Sequence, residues 1–588
     1  MFKLGSYKQI GLTVAIAAAL LLLAACASAA PTPAAAVVSQ PTAAPTDTAL
    51  MPPTVEATTA PTDESTTAPT AEATTPATEE ATTAAPSSAS GTETPAASST
   101  TSTALDWTQL GFPTVLTTQT LTPGTAATVH GGAFTVSIPA NAFSTSVKFD
   151  LLTGDLANLL DKAPADQQPI LAFALRVTDT ATNQPVQKFD NPVMVTAIDP
   201  SITPSSQYYN IAEDGTFSLN ATAPQVQAGQ LAHPVSGTGA AWAITNPNPT
   251  VTSGKIALLL PESKTTRYES ADRPDFTAEL TKLCPSCQLI YDNANQDANV
   301  QLSQAEAALS NGAQVLVLDP VDSSAAGAIA DKAAAQGVPV IAYDRLILNS
   351  NGVNYYISFD NVKVGQLQAT SLIDHLTALN VSNPTIVMIN GSPTDNNATL
   401  FKQGAHSVFD PLVTAGKLTI AKEYDTPDWS PDQAQTEMQQ ALTALGNKVD
   451  GVYAANDGTA GGAIAAMTAA KLSPLPPITG QDAELAAIQR ILVNQQYMTV
   501  YKAIKPEANA AALLAVDLLT KTTIPAGLTN NQTTNNSKMD VPSVLLTPIA
   551  VTINNINDTI VKDGFWTAAQ ICTTQYADAC KAAGLSGF

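Results

Sequence analysis

Basic residues are scarce in this chain. Lysine and arginine number 26 against 49 aspartates and glutamates, which gives a formal charge of −23, and neither occurs between residues 9 and 147. Such an excess of negative charge repels the phosphates of nucleic acids and lowers the affinity for anionic surfaces. We therefore expect no nucleic-acid partner.

Motifs of common enzymes are also missing. The chain has four histidines and no GxSxG, P-loop or HExxH sequence, which argues against serine hydrolases, P-loop NTPases and zinc proteases. His130 and His233 are expected to be ordinary surface or turn residues and not metal ligands. We expect no catalytic residues, no metal and no cofactor.

Cysteine is rare, and the first of the five cysteines ends an export signal. After Lys3 and Lys8, an apolar run of 16 residues extends from Ile10 to Ala25, which is shorter than the ~20 residues that span a bilayer. It closes on "LAAC", which resembles a bacterial lipobox with Cys26 as the lipidated residue. Residues 1–26 are thus predicted to be a lipoprotein signal peptide that anchors the protein outside the cytoplasm. An ordinary signal peptide with an incidental cysteine is the alternative.

The other four cysteines form two close pairs, Cys284 with Cys287 in "CPSC" and Cys572 with Cys580 in "CTTQYADAC". Four cysteines allow three pairings, and two local disulfides are the simplest of them in an exported protein. A redox motif or half of a zinc site is the other interpretation of "CPSC". Because no second CxxC is present, the zinc interpretation is weak.

Residues 27–104 consist mainly of alanine, threonine, proline and serine, as in "PTVEATTAPTDESTTAPTAEATTPATEE". A segment of this composition cannot bury enough apolar surface to offset the entropy lost on ordering. We expect a disordered tether.

Residues 105–250 have the alternation of short strands. In "LAFALRVTD", Leu171, Phe173, Leu175 and Val177 fall on one face, and turn signals such as "AEDGT" separate the runs. This pattern predicts a small antiparallel β-sandwich. Its role is unknown, and a spacer or adhesion module is the default hypothesis.

From residue 251 to 588, strands and helices alternate. "KIALLLP", "AQVLVLDP", "VPVIAYDR", "PTIVMIN", "KLTIAKEYD", "GVYAAND" and "PPITGQD" are strand-like, with helical segments between them. Repeated strand–helix units predict parallel, doubly wound sheets whose ligands bind at the carboxyl ends of the strands. The fold class expected is α/β, with two Rossmann-like lobes and a cleft between them.

Polar and ionised side chains follow nearly every predicted strand. Carboxylates and carboxamides accept hydrogen bonds from hydroxyl groups, and arginine and lysine donate them, so the mixture suits a neutral polyol. In "GSPTDNN", Gly391 and Pro393 are expected to shape the turn, while Asp395 and Asn397 hold ligand hydroxyls.

Seven of these stretches resemble the periplasmic sugar-binding proteins of ABC transporters, the type I periplasmic binding proteins, and most of all their D-xylose-binding members. They are "VIAYDR", "NYYISFDNVKVGQLQA", "GSPTDNNATLFKQGA", "WSPDQAQ", "AANDGTAGGAIAAM", "TGQDAELAAIQRI" and "MTVYKAI". The resemblance extends from about Ile256 to Trp566 with the motifs in family order.

The resemblance implies two hinged lobes, lobe 1 at about 254–364 and 503–548 and lobe 2 at about 365–502 and 549–566, with an extension over 567–588. It also implies a monosaccharide site, with Trp429 stacking on the sugar ring and Tyr268 where the family has a larger aromatic. Asp344 and Asn396 are expected to support the ligand-binding residues, and Asp457 is alternatively a helix cap near Thr459. The complete predicted set is Arg267, Tyr268, Asp344, Arg345, Asp395, Asn396, Asn397, Trp429, Asn456, Asp457, Asp482 and Lys502.

The expected function is that of a monomeric, lipid-anchored binding protein that delivers D-xylose or a similar aldose to a membrane permease driven by an ATPase. A sugar sensor that presents its ligand to a chemoreceptor or kinase is the alternative. A glycosidase using Asp395 and Asp482 as paired carboxylates is disfavoured, because the surrounding asparagine, arginine and lysine residues suit static binding.

Overall fold

The computed structural model describes residues 105–238, 241–251 and 253–587. The predicted signal peptide with Cys26 and the predicted tether over 27–104 lie outside these residues. Within the described part, no helix has the length and apolar character needed to cross a membrane.

Residues 107–247 fold into a sandwich of two antiparallel sheets, ordered β1-β4-β5-β11-β7-β8 and β2-β3-β6-β10-β9. Large side chains such as Phe149, Phe173 and Trp242 fill the space between the sheets. The elements are α1 (Trp107–Leu110), β1 (Thr114–Leu121), β2 (Ala127–Gly131), β3 (Phe134–Ile138), β4 (Val147–Thr153), β5 (Gln167–Asp179), β6 (Lys188–Ile198), β7 (Gln207–Ile211), β8 (Phe217–Leu219), β9 (Gln225–Gln227), β10 (Gln230–Gly237) and β11 (Ala241–Pro247).

His233 does not lie at the surface, so that prediction was wrong. It occupies the inward-facing register of β10 together with Leu231 and Val235, all of them buried. Its ring stacks on Tyr208 with centroids 4.1 Å apart, and Nε2 lies 3.1 Å from the carbonyl oxygen of Thr222. Strand alternation, which places every second side chain inside, explains its burial. His130 is exposed on β2.

The chain then forms most of lobe 1 with the predicted strand–helix rhythm. Odd and even residues of β12 pack into different core clusters, Ile256 and Leu258 on one face and Ala257 and Leu259 on the other, because helices cover both faces. The elements are β12 (Gly254–Leu260), α2 (Arg273–Leu283), β13 (Cys287–Asn293), α3 (Ala298–Ser310), β14 (Val315–Leu318), α4 (Gly327–Ala335), β15 (Val340–Tyr343) and β16 (Val353–Phe359).

Lobe 2 begins with α5 (Asn361–Ala378), which packs on the helix over Asn396–Thr414, and the first crossing between the lobes is at Asp360. The predicted strand "PPITGQD" makes only single bridges, Ile478 to Val452 and Gln481 to Val500. The other elements are β17 (Thr385–Asn390), α6 (Asn396–Thr414), β18 (Thr419–Asp425), α7 (Pro431–Leu445), β19 (Gly451–Ala454), α8 (Asp457–Ala469), α9 (Leu485–Leu492) and β20 (Thr499–Tyr501), with the parallel sheet ordered β18-β17-β19.

The chain returns to lobe 1 and crosses once more to lobe 2. Lobe 1 gains α10 (Ile504–Thr520), α11 (Ala526–Thr529), β21 (Thr533–Asn535) and β22 (Asp540–Leu546), which completes its sheet in the order β13-β12-β14-β15-β16-β22-β21. Lobe 2 gains β23 (Ile549–Val551), α12 (Ala568–Ile571) and α13 (Ala577–Ala582). The last two helices share a core with α9, so the predicted extension is part of lobe 2. The structure pairs Cys284 with Cys287 and Cys572 with Cys580.

Candidate sugar-binding site

The two lobes enclose a cavity of about 270 Å³. Ten of the twelve residues predicted for the site line it, Asn396 and Asp457 being the exceptions. The lining residues are Thr265, Arg267, Tyr268, Asp344, Arg345, Asp395, Asn397, Phe401, Trp429, Asn456, Gln481, Asp482 and Lys502.

The carboxyl ends of parallel strands bring these side chains together. Asp344 and Arg345 follow β15 of the parallel lobe 1 sheet, and Asn456 follows β19 of the parallel lobe 2 sheet, so both groups lie at carboxyl ends of strands, where such sheets bind ligands. Lys502 follows β20, which pairs antiparallel with β23. Parts of the site also have an unfavourable backbone. Asp344, Trp429 and Asp482 have φ values of 53°, 52° and 90°, a left-handed region that only a few per cent of non-glycine residues adopt.

The lobes touch around the cavity. The Ser323 amide donates to the Thr394 carbonyl at 3.0 Å, and the Asn396 amide donates to Ser323 Oγ at 3.1 Å. Asn397 Nδ2 of lobe 2 donates to the Asp344 carbonyl of lobe 1 at 2.9 Å. This is the closed arrangement of a two-lobed protein.

Asp395 is shared among three partners. Its Oδ1 caps α6 by accepting from the Asn397 amide at 2.8 Å. Its Oδ2 accepts from Trp429 Nε1 at 3.0 Å and lies 3.0 Å from Arg345 Nε, which is not aligned as a hydrogen-bond donor to it. The Asp395 carboxylate therefore caps the helix that begins within "GSPTDNN" and also contacts the side chains of Trp429 and Arg345 in the cavity.

Gly391 leaves room for the indole ring of Trp429. A Cβ atom at position 391 would lie 2.0 Å from the indole carbon Cη2, so no larger residue fits without displacing the ring. Trp429 is buried, and its ring meets Phe401 at an interplanar angle of 63°. Gly391 thus has a role in close packing, and its role in shaping the turn stays a prediction.

Cations and carboxylates from both lobes form a network of ion pairs around the cavity. Arg267 binds Asp272 through Nε at 3.0 Å and Nη2 at 2.7 Å, and its Nη1 lies 3.7 Å from Asp482 Oδ1. Lys502 Nζ lies 3.2 Å from Asp344 Oδ1 and 3.4 Å from Asp482 Oδ1. Within the closed protein, these oppositely charged side chains form ion pairs.

Tyr268 connects two of the charged groups. Its hydroxyl donates to Asp344 Oδ2 at 3.0 Å and accepts from Arg345 Nη2 at 3.1 Å. The guanidinium carbons of Arg267 and Arg345 lie 5.0 and 5.8 Å from its ring centroid, within cation–π range. The smaller ring at this position is thus fixed on several sides.

Burial and charge oppose each other in setting the pKa values of the site. Burial alone would raise the pKa of Asp344, but Arg267, Lys502 and Arg345 outweigh it and hold that pKa below its ordinary value. Burial and Arg267 would lower the pKa of Lys502, whereas Asp344 and Asp482 raise it. Both groups are therefore ionised at neutral pH.

Two buried acids behind the cavity were not predicted. Burial raises the pKa values of Asp319 and Glu507 well above the ordinary range. Asp319 Oδ1 lies 3.6 Å from Arg345 Nε, and Glu507 Oε2 lies 3.5 Å from Arg267 Nη2. Both acids therefore favour the neutral form. The cavity itself is lined by three carboxylates and three cations, a composition that suits an uncharged ligand: Asp344, Asp395, Asp482, Arg267, Arg345 and Lys502.

Two predicted site residues lie outside the cavity. Asn456, not Asp457, caps α8: its Oδ1 accepts from the Thr459 amide at 2.8 Å. Asp457 instead accepts from Gln496 Nε2 at 2.7 Å and Thr499 Oγ1 at 2.9 Å. Asn396 is the first residue of α6 and contacts lobe 1 through its backbone amide.

Thr265, Phe401 and Gln481 line the cavity but were not in the predicted set. Phe401 has the apolar spacing of an ordinary core residue in α6, so the sequence carries no separate signal for it. Gln481 does carry one, because it follows "ITG" at the end of a strand-like run. Among the described residues, no group of histidine, cysteine, aspartate and glutamate could hold a metal ion.

The part of the chain that forms the two lobes is similar to known proteins. A family model described as a periplasmic binding protein domain matches residues 256–523. The D-xylose-binding periplasmic protein of Escherichia coli (strain K12) is 42% identical over 53% of this chain and 90% of its own length. The multiple sugar-binding periplasmic receptor ChvE of Rhizobium radiobacter is 33% identical over 54% of this chain and 92% of its own.

A solved structure agrees with these relatives. An ABC transporter solute-binding protein from Clostridium phytofermentans, crystallised with β-D-glucose, superimposes with a TM-score of 0.51 and 29% identity, covering 54% of this chain and 99% of its own. The resemblance inferred from the motifs is therefore confirmed. The chain belongs to the periplasmic sugar-binding proteins of ABC transporters and has the type I periplasmic binding protein fold.

Proposed function

We propose that this protein binds D-xylose or a similar aldose between its two lobes and delivers it to an ABC transporter, and that it is not an enzyme. The observation that carries the proposal is the closed, nearly charge-balanced cavity lined by Asp344, Asp395, Asp482, Arg345 and Lys502. Hydrogen bonds between hydroxyls and charged groups contribute about 1.5–3 kcal/mol each. A ring that carries several hydroxyls would use many of them at once.

The proposed mechanism follows from the contacts between the lobes. Arg345 of lobe 1 lies beside Asp395 of lobe 2, and Lys502, at the second crossing, reaches both Asp344 and Asp482. A sugar between such pairs accepts from the cations and donates to the carboxylates only when the lobes are together. The closed state therefore binds more tightly, and sugar shifts the population towards it.

Aromatic packing supports a sugar over other polyols. Trp429 and Phe401 give one side of the cavity an apolar surface, which matches the C–H face of a pyranose ring. The E. coli relative bears the name of a D-xylose-binding protein and the Clostridium structure holds β-D-glucose. Both a pentose and a hexose must therefore be tested.

The test is isothermal titration of the purified chain with D-xylose, D-glucose, D-galactose, L-arabinose and D-ribose. We expect a dissociation constant in the micromolar range or tighter for D-xylose, which corresponds to about −8 kcal/mol or more, and weaker binding of the hexoses. Absence of binding for all five sugars would contradict the proposal. Preference for a hexose would keep the transport role and overturn the pentose assignment.

We further propose that Cys26 is lipidated and that the protein acts as a monomer at the outer face of the membrane. Support comes from "LAAC" at the end of the apolar run and from the tether that follows. Mass spectrometry of the mature N-terminus should find diacylglycerol on Cys26, and Cys26→Ser should release the protein from the membrane fraction. A soluble wild-type protein with an unmodified N-terminus would contradict this.

Export is also the basis for proposing that both cysteine pairs are disulfides. Thiol titration of the denatured protein should find no free thiol before reduction and four after it, in a Cys26→Ser background. Four free thiols without reduction would contradict the pairing.

A sensor role is the second candidate, and the word receptor in the name of the Rhizobium relative favours keeping it. Deleting the cognate permease distinguishes the two roles. Loss of sugar uptake would support transport, whereas normal uptake with a lost transcriptional or chemotactic response would support sensing.

A further inference from the structure

The β-sandwich shares a hydrophobic core with lobe 1. One row across its six-stranded sheet, Leu152 of β4, Ala174 of β5, Ala241 of β11 and Ile211 of β7, is formed by neighbours in register. All four side chains are buried in the same cluster as the lobe 1 residues of β12, α2 and α10. The central strands β4, β5 and β11 of this sheet are therefore buried on both faces, one towards the second sheet and one towards lobe 1.

Small residues make this contact close. Facing lobe 1, β5 and β11 present Ala172, Ala174, Ala241 and Ala243, while their opposite faces carry Phe173 and Trp242. The helix α10 is buried from Ala508 to Asp517. Since a helix that is apolar all round must be covered on every side, the sandwich completes the core of lobe 1.

Polar contacts fix the position of the sandwich on the same helix. Gln168 Nε2 of β5 donates to Asp517 Oδ2 of α10 at 3.1 Å, and both residues are buried. Asp161 Oδ2 lies 2.9 Å from Lys505 Nζ and its Oδ1 accepts from Asn509. These bonds fix the position of α10 against β5 and the segment that precedes it.

A second point of attachment lies on the return segment of lobe 1. Asn530, directly after α11, accepts from Thr153 Oγ1 of β4 at 3.2 Å. A Cβ atom on Gly527 would lie 2.6 Å from the carbonyl oxygen of Ile170, so α11 approaches β5 to backbone distance.

The contact between the sandwich and lobe 2 is of a different kind. Asp563, in the lobe 2 segment before α12, attracts Lys162 electrostatically, but both residues are exposed, so solvent screens the pair. Between the sandwich and the first and third crossings lies a polar cleft of about 730 Å³, whose walls include Thr114 and Asp155 on one side and Asp360 and Pro548 on the other. The sandwich thus leaves these crossings room to bend.

We propose that the sandwich and lobe 1 form one rigid body and that lobe 2 is the lobe that swings when sugar binds. This inference rests on the proposed function, because it assumes closure around a sugar. It assigns the sandwich a role as an integral part of lobe 1, in place of a free spacer. It also assigns a role to the cleft beside the hinge, which provides the space in which the crossings bend when the lobes open and close.

The test measures three distances in the full chain by electron paramagnetic resonance. Azide-bearing residues for spin labels are introduced pairwise at exposed positions 223 of the sandwich, 332 of lobe 1 and 448 of lobe 2. D-xylose should change the 223–448 and 332–448 distances by several ångströms and leave the 223–332 distance unchanged. A change in 223–332 as large as the others, or no change in any of the three on a sample that titration shows to bind sugar, would overturn the proposal.

The sugar-free sample separates this inference from the proposed function. There the 223–332 distribution should already be narrow, and a broad one would overturn the inference even if no sugar binds. Gln168→Leu, which removes the bond to Asp517, should broaden this distribution, whereas Lys162→Ala should leave it unchanged. The reverse result would place the attachment on lobe 2 and overturn the proposal.

Discussion

Lobe 1 has two interfaces of opposite character. Against the sandwich it presents alanine, leucine and isoleucine side chains with a few buried polar bonds. Against lobe 2 it presents Asp344, Arg345 and Arg267, with a cavity between the partners. Apolar contact stabilises in proportion to the area removed from water, whereas paired buried charges gain little over hydration. The first interface is therefore suited to permanent contact and the second to opening.

The largest expected effect comes from placing a charge in the apolar interface. Ala174→Asp puts a carboxylate among Leu152, Ala241 and the lobe 1 residues of the same cluster. An unpaired buried charge costs about 3–5 kcal/mol, so the melting temperature in calorimetry should fall sharply. A matched Ala221→Asp on an exposed turn of the sandwich should have almost no effect. Equal effects of the two variants would contradict a dry interface.

The next effect concerns the polar interface and should change binding much more than folding. Asp482→Asn keeps the shape and tolerates the φ of 90° better than alanine would, but it removes the charge near Lys502 and Arg267. Loss of hydrogen bonds to a charged group predicts about 3 kcal/mol, or more than a hundredfold weaker sugar binding by titration. Asp578→Asn, exposed on α13, is the control. Near-normal affinity of Asp482→Asn would remove Asp482 from the proposed site.

The sequence predicted the residues at the interface between the two lobes better than those at the interface with the sandwich. The candidate site residues were predictable because polar side chains follow the strand-like runs, as with Asp344, Asn456 and Lys502. Asp319 follows "VLVL" in the same manner, so the same rule could have found it. Glu507 could have been suspected as an acid within an otherwise alanine- and leucine-rich helix.

The sandwich interface was not predictable in the same way. The alternation in "LAFALRV" correctly assigned Leu171, Phe173 and Leu175 to the sandwich core, but the intervening Ala172 and Ala174 are compatible with solvent as well as with a partner. Only the tertiary contact with α10 decides between them. His233 was misjudged for a related reason, since histidine is compatible with a turn or with an inward strand position.

The next prediction, of a smaller effect, separates the contribution of the Trp429 ring surface to sugar binding from that of its hydrogen bond. Trp429→Ala removes the apolar surface and the bond to Asp395, and by analogy with bases stacked on aromatic rings it should weaken sugar binding by about 1–3 kcal/mol. Trp429→Phe keeps a ring and loses only the bond, so it should lose less affinity. Gly391→Ala should resemble Trp429→Ala, because its new methyl group displaces the indole. If titration finds all three close to wild type, the indole is not part of the ligand contact.

The last prediction tests the apolar interface through the pH dependence of stability. Burial raises the pKa of Asp517 to about 7, only partly opposed by Gln168, while in the unfolded chain it is about 3.9. The folded state therefore binds the extra proton, and the free energy of unfolding contributed by this group is fully present below about pH 4 and declines as the pH rises towards 7. Burial likewise raises the pKa of Tyr355, and Asp517 raises it further, but that phenol does not titrate in this window. Asp517→Asn retains an acceptor for Gln168 without a titrating proton. In urea unfolding it should match the wild type near pH 4 and exceed it at pH 8, with unchanged sugar affinity at both. Parallel stability profiles for the two proteins would mean that Asp517 is solvated, and with it that this end of the sandwich interface is open to water.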